Sequence, residues 1–218
     1  MIIAIDGPAG AGKSTIARLT AQKLGFLYID TGAMYRALTL KALETKIDID
    51  NNLVVIEMAR NTSIALTNNQ DGSLKILLDG QDVTREIRQP RITRLVSDIA
   101  KIKEVRQVML ALQRKLGRLS DSILDGRDIG TVVFPDADKK FYLDAEFQER
   151  TKRRHKELEE LGQKITLEDV EFDLRNRDTI DSTREFAPLK KAQDAIYIDT
   201  TRMTIQDVVD NILKQIHG

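Results

Sequence analysis

The sequence predicts an α/β fold built on a parallel sheet. Three observations carry that expectation. Short apolar runs ending in Asp or Gly alternate with helical stretches. The first run, Ile2–Ile5, opens directly into Gly7-Pro8-Ala9-Gly10-Ala11-Gly12-Lys13-Ser14, which fits G-x-x-x-x-G-K-[ST] between a strand and a helix. The unusual sequences also cluster after strands, where ligands of open α/β sheets bind. They are the glycine loop, Asp30-Thr31-Gly32, Asp125–Asp128, the arginines from Arg150 onward and Thr200-Thr201-Arg202.

In chain order, residues 14–24 read as a helix that stops at Gly25. Residues 26–30 form a second strand that Thr31-Gly32 breaks, and 33–44 a second helix. The rhythm then lapses. A short helix over 53–60 precedes two strands, 63–67 and 74–78, and the intervening Asn68–Gly72 has the length and glycine of a hairpin loop. Residues 79–82 turn again. Residues 45–90 are expected to be an insertion with its own small antiparallel sheet, mere surface elaboration being the other reading. Pro90 punctuates the chain before helices over 91–100 and 103–116. The parallel pattern resumes with strands 122–126, 140–144 and 195–199. Helices cover 145–161 and 166–178, the latter with Thr166 and Asp169 in a capping box. The last helix sets Ile205, Val208, Val209, Ile212, Leu213 and Ile216 on one face.

Composition narrows the function. The chain of 218 residues carries 34 Lys plus Arg and 34 Asp plus Glu, a net charge of zero. No global basic footprint marks it for nucleic acid or an anionic membrane. It has no Cys, which excludes disulfides, thiolate catalysis and cysteine metal sites. His155 and His217 are too few for a metal cluster. The longest apolar run is far below a membrane span, and Ile2–Ile5 meets Asp6 at once, so no signal peptide is expected. A cytoplasmic monomer with neither nucleic-acid nor membrane partners is the expectation.

The glycine loop points to a nucleoside triphosphate. Its glycines let successive N–H groups of Gly7 to Thr15 converge on an anion, and the following helix adds free N–H groups and partial positive charge. Lys13 reaches the β- and γ-phosphates, and the Ser14 hydroxyl is a candidate magnesium ligand. Asp125 ends an apolar strand, the place of a carboxylate that organises magnesium directly or through water, or else of a simple turn residue.

Arginines are the second signal. Arg36 follows Tyr35 after the second strand, Arg106 precedes the third, and Arg127 follows it. Arg150, Arg153 and Arg154 run along one helix, and Arg177 and Arg184 flank Asp181. Any one of them suits a solvated helix face. Together they suit a second polyanion, since guanidinium grips phosphate bidentately and stays charged when buried. An acceptor phosphate is largely ionised at neutral pH, its second pKa being about 6, and needs no catalytic base. Asp128 is a candidate reader of an exocyclic amine, which would favour cytosine over uracil.

Four blocks resemble bacterial cytidylate kinases: Gly7–Thr15, Ile29–Arg36, Leu124–Ala137, and Arg177 through Asp181 and Arg184 to Leu189. The resemblance runs along nearly the whole chain, and Asp125-Gly126-Arg127-Asp128-Ile129-Gly130-Thr131 is its most specific part. It implies a P-loop kinase fold. A five-stranded parallel sheet is flanked by helices, with an inserted small antiparallel β element and a short helical lid. The core is expected at 1–44, 91–147 and 179–218, the acceptor-domain insertion at 45–90 and the lid at 148–178. It implies transfer of the ATP γ-phosphoryl group to CMP or dCMP with Mg2+. Thr31, Arg106 and Asp128 would face the cytosine, beside Tyr35. Arg36 and Arg127 would hold the acceptor phosphate, with Arg184 close by, and Arg177 and Asp181 would address the sugar. Arg150, Arg153 and Arg154 would close on the donor phosphates, and Thr200–Arg202 lies at a plausible edge for adenine.

Two other classes fit less well. A nucleotide switch needs N-K-x-D and a transporter ATPase L-S-G-G-Q, and neither motif occurs. A P-loop kinase for a small hydroxy compound needs a base, which the arginine pattern does not offer.

Overall fold

β1 (Ile2–Asp6) runs down the middle of a five-stranded sheet in the computed structural model, which describes residues 1–69 and 73–217. On one side it pairs with β6 (Ser122–Gly126), which pairs in turn with β2 (Leu27–Asp30). On the other it pairs with β7 (Lys139–Asp144), and β7 pairs with the edge strand β8 (Ile196–Asp199). All four pairings are parallel, in the order β2-β6-β1-β7-β8. The five strands expected from the sequence are therefore present, each end shifted by no more than a residue.

Side-chain alternation along β1 explains the layers. Ile3 and Ile5 face α1 (Lys13–Leu24) and α8 (Ile205–His217), where Ile16, Ala17, Val208, Val209 and Ile212 complete a buried cluster. Ala4, Ile29 and Leu124 face the opposite way, onto α2 (Thr31–Glu44) and α5 (Lys103–Gly117). That second cluster continues without a break into the insertion, through Val55 and Met58 of α3 (Asn52–Arg60) and Ile64, Ile76 and Leu78 of the small sheet.

The small sheet is antiparallel and has one strand more than expected. β3 (Ile64–Asn68) pairs with β4 (Leu74–Leu78), and β4 with β5 (Gln81–Asp82). The turn predicted over 79–82 shrinks to Asp79-Gly80, both with positive φ (48° and 85°), the conformation of a two-residue hairpin loop. The expected loop Asn68–Gly72 is described only at its ends, where Asn69 N–H donates to the Ser73 carbonyl at 2.8 Å; residues 70–72 lie outside the described residues.

Four helix boundaries differ from the expectation in ways that bear on the site. β2 does end before Thr31-Gly32, but the helix starts two residues earlier than expected: the Asp30 carboxylate accepts the Ala33 N–H at 2.7 Å, so Thr31 already belongs to α2. α6 (Phe147–Glu160) begins later than Ala145 because Glu146 is extended. α7 (Leu167–Thr183) is capped by Thr166 as expected but runs past Asp178 to Thr183, which brings Asp181 onto the helix. α4 (Pro90–Ala100) starts at Pro90 itself, whose missing N–H costs nothing at a first helical position. Besides β5, two short turns fall outside the expectation: a 3-10 turn over Glu86–Arg88, and a π-helical turn over Ile129–Val133, closed by the Phe134 N–H on the Ile129 carbonyl at 2.7 Å. No helix among the described residues is long and apolar enough to cross a membrane.

Candidate active site

Strand register builds the site. Asp6 lies opposite Gly126, and Asp125 lies opposite both Ile5 and Asp30. The glycine loop, the start of α2 and the Gly126–Asp128 turn therefore leave the sheet at one level, beside the central strand. A cleft opens there, walled by Ala9, Gly10 and Gly12 to Thr15 on one side. Opposite stand Thr31, Tyr35, Arg36, Arg106, Arg127, Asp128, Arg177, Asp181 and Arg184, with Arg154 reaching in from α6.

On the loop side, Gly10 and Gly12 adopt left-handed φ (78° and 83°), which bends the loop around its own N–H groups. Lys13 is buried and donates to the Pro8 carbonyl at 2.6 Å. Burial and the neighbouring Arg127 lower its pKa to about 7, against the pull of Asp125. The Ser14 hydroxyl donates to Asp125 Oδ2 at 2.8 Å, and the Tyr28 phenol donates to Asp125 Oδ1 at 2.9 Å. Burial first, and Asp30 second, push the Asp125 carboxyl up to about 6.

The arginine side is a charged relay. Arg127 Nε donates to Asp181 Oδ2 at 2.8 Å, and Arg184 Nη1 to Asp181 Oδ1 at 3.3 Å. Arg184 Nη2 and Arg106 Nη2 both donate to Asp128 Oδ1, at 3.4 and 2.6 Å. Three guanidiniums thus share two carboxylates, leaving an excess of positive charge before Arg36, Arg154 and Arg177 are counted. Burial works against the charge on Arg127, yet Asp181 outweighs it and holds the guanidinium above its usual pKa. Arg177 has no such carboxylate in hydrogen-bond contact: burial, then Arg127, lower it to about 10. The Nε groups of Arg36, Arg106 and Arg177 are buried without a hydrogen-bond partner. Such donors call for acceptor oxygens.

Arg36 Nη2 rests on Asp30 Oδ2 at 3.0 Å, and the Arg106 guanidinium lies 5.3 Å from the centre of the Tyr35 ring. The Thr31 hydroxyl spends its proton on the Asp125 carbonyl at 2.7 Å, so its remaining capacity is to accept. Two buried N–H groups, of Ile129 and Gly130, end on the Asp6 carboxylate at 2.8 and 2.7 Å. Burial pushes that carboxyl up to about 7 against their opposing pull.

Several expected residues lie elsewhere. Gly7, Pro8 and Ala11 form the root and back of the loop rather than the cleft wall. Arg150 is held behind the loop, on the carbonyls of Ala9 (2.9 Å) and Ala145 (3.1 Å) and on Asp178 Oδ2 (2.6 Å). Arg153 is fastened to Thr200 through its carbonyl (2.7 Å) and hydroxyl (3.0 Å) and to Glu149 (2.9 Å). Neither guanidinium lines the cleft, because backbone oxygens and carboxylates already claim it.

Other lining residues escaped the sequence reading. Thr93, Val96, Ser97 and Ala100 of α4 wall the cleft, with Arg88 before them. Their spacing of three, four and seven is a helical stripe of small side chains, a signal that was available and reads easily as core.

Fold and cleft together define a protein of the P-loop kinase class, with the glycine loop facing an arginine-rich wall. A shikimate kinase from Bacteroides thetaiotaomicron shares the fold, with a TM-score of 0.51 at 11% identity over 100% of this chain and 99% of that one. The family model described as cytidylate kinase matches residues 3–218, and the chain belongs to that family. A cytidylate kinase of Clostridioides difficile is 53% identical over 217 residues, 100% of this chain and 98% of its own length. One of Alkaliphilus oremlandii is 52% identical over 216 residues, 99% and 97% of the two chains.

Proposed function

We propose that the chain transfers the γ-phosphoryl group of ATP to CMP or dCMP, releasing ADP and CDP or dCDP, as a cytoplasmic monomer. The observation that carries the base is the pair of acceptors at one end of the cleft. Asp128 is an anionic acceptor held by two arginines, and Thr31 has only accepting capacity left. Cytosine presents an amine there and uracil a carbonyl, so both groups favour cytosine.

The other roles follow from position. The loop Gly7–Thr15 and Lys13 hold the ATP phosphates. Arg36, Arg127 and Arg184 grip the acceptor phosphate, which is ionised and attacks in line without a base. Arg177 and Asp181 address the sugar. Arg154 already faces the cleft. Arg150 and Arg153 come to the donor phosphates only if α6 shifts, which assigns 148–178 to a lid. Closure excludes water, the competing acceptor. Residues 45–90 are the acceptor-side insertion, and the remainder is the core.

Ser14 and Asp125 fit magnesium: both offer hard oxygen donors within 2.8 Å of each other. No larger cluster of carboxylate, His or Cys ligands exists among the described residues. That suits an ion that keeps its waters and the nucleotide phosphates as its other ligands. When bound, it neutralises charge on the transferring group.

ADP release measured with CMP, dCMP, UMP and AMP as acceptors tests the reading. Turnover with the cytidine nucleotides well above the others is expected. Equal rates on AMP and CMP, or none on CMP, would sink it.

A further inference from the structure

Arg127 and Asp128 sit on a turn with two fixed ends. At its start, the Thr31 hydroxyl holds the Asp125 carbonyl at 2.7 Å. At its finish, the N–H groups of Ile129 and Gly130 converge on the two oxygens of Asp6, one each, at 2.8 and 2.7 Å. Asp6 is 4% exposed, so no water competes for these bonds. It is also the last residue of β1, and its neighbour Gly7 opens the phosphate loop. A Cβ at Gly130 would crowd the Lys140 side chain at 3.1 Å while meeting Asp6 Oδ2 at an ordinary contact distance of 3.4 Å.

We infer that Asp6 is a positioning residue for phosphoryl transfer, whose carboxylate pins the Arg127–Asp128 turn to the root of the donor loop and so fixes the acceptor nucleotide relative to ATP. The inference rests on the reading of Arg127 and Asp128 as acceptor-side groups. The chemistry of the contact favours a carboxylate over any other side chain. The two N–H groups meet different oxygens of Asp6, and an asparagine there would set its NH2 against one of them. Releasing either N–H loosens Gly126, Arg127 and Asp128, the three residues between the anchors. A misplacement of about 1 Å near reacting groups costs about a hundredfold in rate.

The test is Asp6→Asn, read three ways on the whole chain. Hydrogen exchange across 126–133 should quicken while α8 stays protected. The KM for CMP should rise about tenfold or more with the KM for ATP within about twofold. The ratio of kcat/KM for CMP over UMP should fall, which loss of stability alone does not produce. Asp6→Glu keeps the charge but displaces both oxygens by a methylene, and should give the same pattern should Asp6→Asn fail to fold. Unchanged exchange across 126–133, or an unchanged CMP-to-UMP ratio in folded protein, overturns the inference. Turnover of CMP by the unaltered chain tests the proposed function separately, and the exchange measurement decides the anchor whatever that turnover is.

Discussion

Arg106 Nη2 donates to Asp128 Oδ1 across 2.6 Å, with the two side chains only 5% and 8% exposed. The pair gives Asp128 a structural duty besides the base reading proposed for it. It is the counter-charge for Arg106 and, through the same oxygen, for Arg184.

Asp128→Ala should therefore cost stability as well as CMP turnover. Breaking a buried ion pair costs about 3–5 kcal/mol, or about 10 °C in melting temperature for a chain of this size. Thermal unfolding checks this, with ATP affinity expected to hold in the folded protein. Asp128→Asn keeps the shape but can donate, so the kcat/KM preference for CMP over UMP should fall by about tenfold or more.

Lys13 sets a pH dependence on the donor side. Its pKa in the free protein is about 7, lowered by burial and by Arg127. Triphosphate beside it favours the charged form, so the pKa rises on binding. Its contribution to ATP affinity is full below pH 7 and is lost as pH climbs through the raised value. Between those limits binding takes up a proton. Calorimetry at pH 8 in two buffers of different ionisation enthalpy should show uptake, and Lys13→Met should abolish it.

Gly7 is fixed by space. Its φ is 149°, and a Cβ would run into the Leu143 carbonyl oxygen on the neighbouring strand. Gly7→Ala must move the root of the loop away from β7, at a cost near the upper end for single changes, about 3 kcal/mol. Urea unfolding and ATP binding should both register the loss.

Arg150 and Asp178 grip both backbone groups of Ala9: Arg150 takes its carbonyl at 2.9 Å, and Asp178 its N–H at 3.3 Å. Arg150→Ala should raise the KM for ATP and lower kcat while CMP affinity holds. Arg150→Lys should not restore it, because an ammonium cannot reach Ala9, Ala145 and Asp178 from one planar fork. Steady-state kinetics with each substrate varied separates the two.

The sheet and the donor loop were legible because their signals are local: an apolar run, glycines at fixed spacing, a helix start. The convergence of Arg106, Arg127 and Arg184 was legible only as a count of cations near strand ends. Which carboxylate each would meet depends on β1–β6 register and on α7 running past Asp178, and neither is written in any short window. The same holds for Asp6, whose partners are more than a hundred residues away in the chain. Arg150 shows the opposite limit. Its position on the helix after β7 was readable, but a free carbonyl at Ala9 to claim it was not.

The central place of β1 also orders the chain's assembly in time. Ile2–Asp6 are made well before their neighbours Ser122–Gly126 and Lys139–Tyr142. Until then the strand has no sheet to join, and joining it closes a loop of more than half the chain. The glycine loop hangs from that strand and can acquire its shape only after β6 and β7 are in place. The loop is made before the strands that complete it, so a chain truncated before residue 122 carries the whole P-loop signature without the sheet that shapes it.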